Sequence, residues 1–137
     1  MGARSGAVIA LLADTHVFAW VLRDPAKLSD IAVEMLSSTP DVRLSAVSLY
    51  EITYKVRVGK WPEMERAAQN VRRIAEDRLY RISPCDAEVM QTAGSLDWAH
   101  RDPFDRMIAA TALVLDLPLL SADTAFDTAP IPIRRIW

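Results

Sequence analysis

Apolar and polar positions along this chain fall into blocks whose period changes. AVIALLA (7–13) is apolar without alternation and stops at Asp14, which marks a strand buried on both faces. His16 to Leu22 then takes a helical spacing, which resumes over Leu28 to Ser37 after the Asp24-Pro25 turn. VRLSAV (42–47) predicts a second strand. Ser48 is placed to cap a helix running to about Val58, where Gly59 stops it, and Trp61-Pro62 starts another toward Asp77. Tyr80 to Ser83 predicts a short third strand and Asp86 to Leu96 a helix. A long helix opened by HRDPFD (100–105) reaches about Leu117, the strand-like PLLSAD (118–123) follows, and Ile133 to Trp137 is left as an edge strand.

Strands alternating with helices, and strands apolar throughout, imply a parallel sheet covered by helices on both faces. The expected fold is therefore an α/β sandwich. In such sheets ligands gather beyond the carboxyl ends of the strands, near the switch in strand order, so the residues that follow strands carry the most interest.

Composition narrows the picture. A chain of 137 residues, 51% hydrophobic and 25% charged, can bury a core as one domain without a disulfide or a structural metal. Cys85 is its single cysteine, which excludes an internal disulfide and a multi-cysteine zinc site and suits a reducing cytoplasm. The opening apolar run is far shorter than the ~20 residues of a membrane span and lacks the context of a signal peptide. A cytoplasmic protein without a membrane partner is expected. With a net charge of −2, direct phosphate neutralisation is no basis for nucleic-acid binding; a bound cation or a local basic patch would be needed.

Several acids stand where acids are costly. Asp14 and Asp123 each follow a strand directly, although an aspartate there also serves as a turn or cap residue. Glu51 shares a helix face with Val47, Tyr54 and Val58, while Leu49, Ile52 and Val56 form a second apolar stripe. An ion pair with Lys55 at i+4 is the structural alternative, worth only ~0.2–0.5 kcal/mol if exposed. In HRDPFDR, Asp102 as N-cap with Pro103 at the first helical position explains how the helix starts. Asp105 lies about 60° around the axis from Asp102 and shares its face with Ile108, Ala109 and Ala112, the face that packs inward. Capping and chemistry are thus both available to this pair. Carboxylates of Asp14, Glu51, Asp105 and Asp123 directed at one strand edge would repel, and a hard divalent ion, Mg²⁺ or Mn²⁺, is the natural relief. Such an ion would also bridge an acidic protein to a phosphodiester.

These residues resemble a known family. LLADTHVFAWVL (11–22), LSAVSLYEITYKVRVGKW (44–61), HRDPFDRMIAATALVLDLPLLSAD (100–123) and the terminal Trp137 are similar, in this order, to the PIN-domain ribonucleases and within them to the VapC-type toxins of prokaryotic toxin-antitoxin modules. The resemblance covers nearly the whole chain. It implies a single PIN domain over 1–137, a three-layer α/β/α sandwich with a central, mainly parallel sheet of four to five strands. It also implies an Mg²⁺- or Mn²⁺-dependent endoribonuclease that hydrolyses RNA with a metal-activated water, leaving a 5′-phosphate and a 3′-hydroxyl. Asp14, Glu51 and Asp105 take the places of the three regular acids and Asp123 that of the less uniform fourth, as catalytic residues and metal ligands. Asp127 is a substitute for Asp123 farther from the strand. Asp102 is assigned to capping or to support behind the ligands. The partners implied are an RNA substrate, a cognate antitoxin whose C-terminal segment covers the acidic pocket, and a second copy in a homodimer or larger toxin-antitoxin assembly.

The remaining features have bland readings. His16 and His100 lack a partner at ligand spacing. Lys55, Arg57, Lys60, Arg101 and Arg106 are candidates for phosphate contact, with Arg72-Arg73 a further cluster, though charge clusters usually face solvent. Trp20, Trp61, Trp98 and Trp137, with Phe18 and Phe104, read as core or interface. Two rival functions remain: a PIN-like binding module without catalysis, and a phosphoacceptor receiver domain. The receiver would need an acidic pair near the first strand and a lysine after a late one, and here Asp14 stands alone and SAD holds no lysine.

Overall fold

The computed structural model describes residues 7–137. Its five strands, β1 (Ala10–Ala13), β2 (Asp41–Ser45), β3 (Arg81–Ser83), β4 (Leu119–Leu120) and β5 (Arg135–Ile136), form one sheet in the order β3-β2-β1-β4-β5 with every pairing parallel. Seven α-helices connect them: α1 (Thr15–Arg23), α2 (Asp30–Ser38), α3 (Ala46–Arg57), α4 (Glu65–Ala68), α5 (Val71–Asp77), α6 (Ala87–Ser95) and α7 (Pro103–Leu115). This is the expected three-layer sandwich.

The layers follow from the period of the central strand. Leu11 and Ala13 of β1 join Val17, Phe18, Leu44 and Ile52 in one buried cluster, whereas Leu12 between them joins Ile108, Ala109, Ala112 and Leu119 in another. Successive side chains of a strand face opposite ways, so one uninterrupted apolar run serves two cores. α7 forms the second core, and α6 packs on α7 through Val89, Ala93 and Ala110.

Three boundaries depart from the sequence reading. β2 ends at Ser45, and Ser45 rather than Ser48 caps α3, its Oγ accepting from Val47 N at 3.1 Å. A serine that ends a strand can keep extended backbone while capping, which leaves Val47 and Ser48 free to turn into the protein. The helix foreseen from Trp61 to Asp77 is broken into a 3₁₀ turn (Pro62–Met64), α4 and α5, with Asn70 at φ −141° between the last two. Asparagine competes with the backbone for hydrogen bonds and interrupts a helix cheaply. PLLSAD keeps only Leu119 and Leu120 as β4, because Ser121 turns its hydroxyl back toward β1. Gly59, at φ +79°, ends α3 in the left-handed conformation that glycine adopts without a Cβ clash. Among the described residues no helix is long and apolar enough to cross a membrane.

Candidate active site

β1 is the central strand, flanked by β2 and β4, so the order of connection reverses beside it. A crevice is expected at its carboxyl end, and Asp14 occupies that position. Asp14 also caps α1: Oδ1 accepts from Thr15 N at 2.7 Å and Oδ2 from Ser121 Oγ at 2.8 Å. Ser121 Oγ in turn accepts from Asp123 N at 3.0 Å. Behind Asp14, the buried hydroxyls of Thr15 and Ser48 lie 2.7 Å apart and tie α1 to α3. Asp14 is 5% exposed. Burial pushes its carboxyl above the usual carboxylate range; the hydrogen bond from Ser121 and the neighbouring His16 pull it back, and the charge of Glu51 adds to the rise.

The HRDPFDR segment divides its work. Asp102 Oδ1 accepts from Phe104 N at 2.9 Å and Asp105 N at 3.3 Å, capping α7, with Pro103 at the first helical position. Asp105 turns inward instead, with Oδ2 at 2.7 Å from His100 Nε2. Burial pushes Asp105 up to about 7 against the opposing hydrogen bond to His100, and the charges of Asp102 and Asp14 contribute further. Arg106 is not a free cation. Its guanidinium donates to the carbonyl oxygens of Ala93 (3.2 Å), Trp98 (2.9 Å), His100 (3.1 Å) and Leu96, fastening the loop that presents His100. Its candidacy for phosphate contact is thereby replaced by a structural duty.

Glu51 lies on α3 and is 3% exposed, with its Oε2 2.5 Å from Lys55 Nζ. The i+4 ion pair considered as the bland reading does form, but around a buried acid. Asp123 is exposed and caps a 3₁₀ turn (Thr124–Thr128), its Oδ1 accepting from Ala125 N at 2.9 Å. It still reaches the crevice: Asp14, His16, Trp20, Ala122 and Asp123 line a cavity of about 240 Å³. Asp127 is engaged by both sides of the Arg135 guanidinium, at 2.9 and 3.0 Å.

The four acids are therefore not equally close. Among the described residues, the metal-binding types whose donor atoms all lie within 4.8 Å of one another are His100, Asp102 and Asp105. Asp14 and Glu51 stand outside that tight group and join it through charge, since Glu51 raises Asp14 and Asp14 raises Asp105. The donors are carboxylate oxygens and one imidazole nitrogen, with no thiolate among them, a mostly hard set that suits Mn²⁺ or Mg²⁺. A divalent ion would also offset the burial, and the lesser repulsion, that hold the Asp14 and Asp105 carboxyls above the usual range.

Ser121 escaped the sequence reading, and His100, set aside there for want of a partner at ligand spacing, has one in Asp105. His100 is five residues from its partner, a separation that no helical or strand period brings together; only the loop that Arg106 holds does so. Ser121 sat within SAD and was overshadowed by the acid beside it.

Comparison with known proteins finds the same fold in solved structures. A DNA-bound VapBC from Salmonella typhimurium is similar in structure at a TM-score of 0.67 and 17% identity, covering 95% of this chain and 98% of that one. FitAcB from Neisseria gonorrhoeae matches at 0.62 and 27% identity, covering 90% and 96%. VapBC-5 from Mycobacterium tuberculosis, a member of the VapBC family of toxin-antitoxin systems, matches at 0.54 and 19%, covering 93% and 99%. Among curated proteins none matches by sequence. The sequence pattern of the PIN domain matches residues 11–131, a span that contains every acid described above. This chain belongs to the PIN domain family.

Proposed function

We propose that the protein is a metal-dependent endoribonuclease and acts as the VapC-type toxin of a toxin-antitoxin module. One observation carries the reading: Asp14, just beyond β1 and buried, and Asp105, half-buried on α7, meet at the same strand edge, each raised by burial and Asp105 further by the charge of Asp14. A fold maintains such repulsion where a cation is to be held. Asp14 and Asp105 would hold Mg²⁺ or Mn²⁺, with Glu51 and Asp123 holding its hydration waters or a second ion.

When bound, a divalent ion supplies Lewis-acid activation of water and neutralises charge developing on the phosphate. The chain's own residues supply rigidity and orientation. Thr15 N–H and Ser121 Oγ fix both oxygens of Asp14, so its carboxylate meets a ligand without reorganising. His100 orients Asp105 in the same way through Oδ2, and Oδ1 is not engaged by that bond. Lys55, balanced against Glu51, places a cation beside the acids where a phosphate would lie. Hydrolysis needs no covalent enzyme intermediate in this scheme.

The similarity to VapBC-5, a member of the VapBC family of toxin-antitoxin systems, supports a cognate antitoxin as partner, and a homodimeric toxin belongs to the same proposal. The deciding experiment incubates purified protein with total RNA in Mg²⁺, Mn²⁺ or EDTA and maps the cut ends. Cleavage dependent on a divalent ion, with 5′-phosphate ends, is expected. Intact RNA under every condition, together with no Mn²⁺ binding in a titration, would instead leave a binding module without catalysis. Co-expression with the product of the neighbouring gene tests the toxin assignment: a stable complex that suppresses cleavage is expected, and failure to associate removes it.

A further inference from the structure

We propose that the groove between α3 and the start of α7 is a base-stacking subsite for single-stranded RNA, with Tyr50 as its exposed platform. The inference rests on the ribonuclease reading and names where the substrate lies beside the acids. The groove has a volume of about 710 Å³, and Tyr50, Tyr54, Phe104, Lys55, Lys60 and Arg101 are among the residues that line it.

Three rings meet there. Tyr50 and Tyr54, one turn apart on α3, have centroids 5.8 Å apart, and Phe104 lies 5.8 Å from Tyr50 and 6.1 Å from Tyr54. Tyr54 and Phe104 are half-buried and brace the cluster, whereas Tyr50 is 59% exposed. Cations accompany the rings: Lys55 Nζ is 5.6 Å from the Phe104 centroid and Arg57 Cζ 5.5 Å from that of Tyr54. Lys60 and Arg101 line the same groove.

The groove is continuous with the acids. Lys55 holds Glu51 on one side and faces Phe104 on the other, and Phe104 is flanked in sequence by Pro103 and Asp105. A ligand seated here is therefore next to the reacting phosphate. Exposed rings beside cations match a strand with flat bases and anionic phosphates. Bases in a duplex present their faces to one another, which favours an unpaired strand. A second protein is the weaker occupant, because interface cores are depleted in lysine, and Lys55, Lys60 and Arg101 outnumber the one lining carboxylate, Asp102, which caps α7.

The test measures binding of the purified full chain in EDTA, so that affinity is read without hydrolysis. The probe is a fluorescein-labelled oligouridylate of about twelve nucleotides, within the span of known single-strand sites; fluorescence anisotropy gives the affinity. Tyr50→Ala is expected to weaken binding about tenfold, from the worth of one stacked base, with Tyr50→Trp restoring it. An abasic strand of the same length should bind the native protein as weakly as the oligouridylate binds Tyr50→Ala. Lys60→Gln and Arg101→Gln should each reduce the slope of log affinity against log salt by about 0.7. Unchanged affinity of Tyr50→Ala, or equal binding of the abasic strand, overturns the proposal. So does a Tyr50→Ala protein that changes from dimer to monomer in sedimentation while binding RNA as before, which would make the groove a protein interface. Cleavage of total RNA with Mn²⁺ is scored separately. A native protein that cuts RNA while Tyr50→Ala binds normally loses only the subsite; one that binds through Tyr50 and cuts nothing loses only the ribonuclease reading.

Discussion

The two ends of this sheet treat acids in opposite ways. At the amino edge, Asp41 opens β2 opposite Ala10 and is answered at once by guanidinium groups, from Arg43 at 2.9 Å and Arg81 at 3.2 Å. The hydrogen bond from Arg43, with the charges of both arginines, holds its carboxyl below the usual range. At the carboxyl edge, Asp14 is buried and Asp105 half-buried beside one another's charges and a few donors, and both carboxyls are raised. An acid kept for stability is given its counter-ion by the chain. On the proposed nuclease reading, Asp14 and Asp105 are left without a lysine or arginine partner, unlike Glu51, which Lys55 answers, and the chain bears the cost.

The sharpest way to break this contrast is to neutralise one acid from each end. Asp14→Asn or Asp105→Asn should reduce RNA cleavage by about a thousandfold or more, the scale of several kcal/mol of charge stabilisation. Asp41→Asn should leave it unchanged. Cleavage of a labelled RNA by each purified protein, with circular dichroism to verify folding, measures the difference. Full activity in both carboxyl-edge variants would refute the assigned roles.

Metal binding should separate the ends next most strongly. Mn²⁺ at about a hundred times its dissociation constant stabilises a single-site protein by about 2.7 kcal/mol, which for a chain of this size raises Tm by roughly 5–10 °C. The native protein and Asp41→Asn should show that rise, and Asp14→Asn should lose most of it. Thermal melts with and without EDTA are sufficient.

Legibility in the sequence divided along a similar line. The layers were readable because burial imposes period: AVIALLA contained a doubly buried strand, though only Ala10–Ala13 forms it and Ile9 stays exposed, and Ile108, Ala109 and Ala112 announced the inner face of α7. Glu51 was readable for the same reason, as a carboxylate on a helix apolar on two sides. What period does not encode was missed. The Asp105 partner, His100, arrives by a loop that four carbonyl oxygens pin to Arg106, and that arginine looked like any other surface cation. Ser48 was misplaced as a cap because a serine between apolar residues looks the same whether it caps a helix or is buried in one; its distant partner Thr15 decides.

pH sharpens the comparison through its sign. Asp105 holds a proton in the metal-free folded protein up to about 7, while the unfolded chain releases it near 3.8. The stability this contributes is complete below about pH 4 and is lost as pH rises through 7. At full value the shift corresponds to roughly 4 kcal/mol, and partial exposure reduces that to roughly 1–2 kcal/mol. Asp14 adds to the same trend. Asp105→Asn should therefore be more stable than the native protein at pH 8 in EDTA and lose that advantage at pH 4, as urea midpoints will show. Equal midpoints at both pH values would mean that Asp105 is not buried as described.

Asp41 should show the reverse sign and the smallest effect. Its folded carboxyl ionises below the unfolded one, so the stability it contributes is present above pH 4 and is lost as pH falls through the lowered value. Asp41 and Arg43 are partly open to solvent and Arg81 is largely so, which limits the loss in Asp41→Asn to about 1 kcal/mol. Some loss is still expected, because Arg43 and Arg81 are direct partners on neighbouring parallel strands and like charges so placed repel. Removing Asp41 leaves that repulsion unanswered. Salt distinguishes this from a packing defect: raising the ionic strength to about 1 M shortens the screening length to about 3 Å and should bring the variant back toward the native urea midpoint. A deficit that persists in salt would show that Asp41 supports the edge by shape, and the matched-charge account of this end of the sheet would no longer hold.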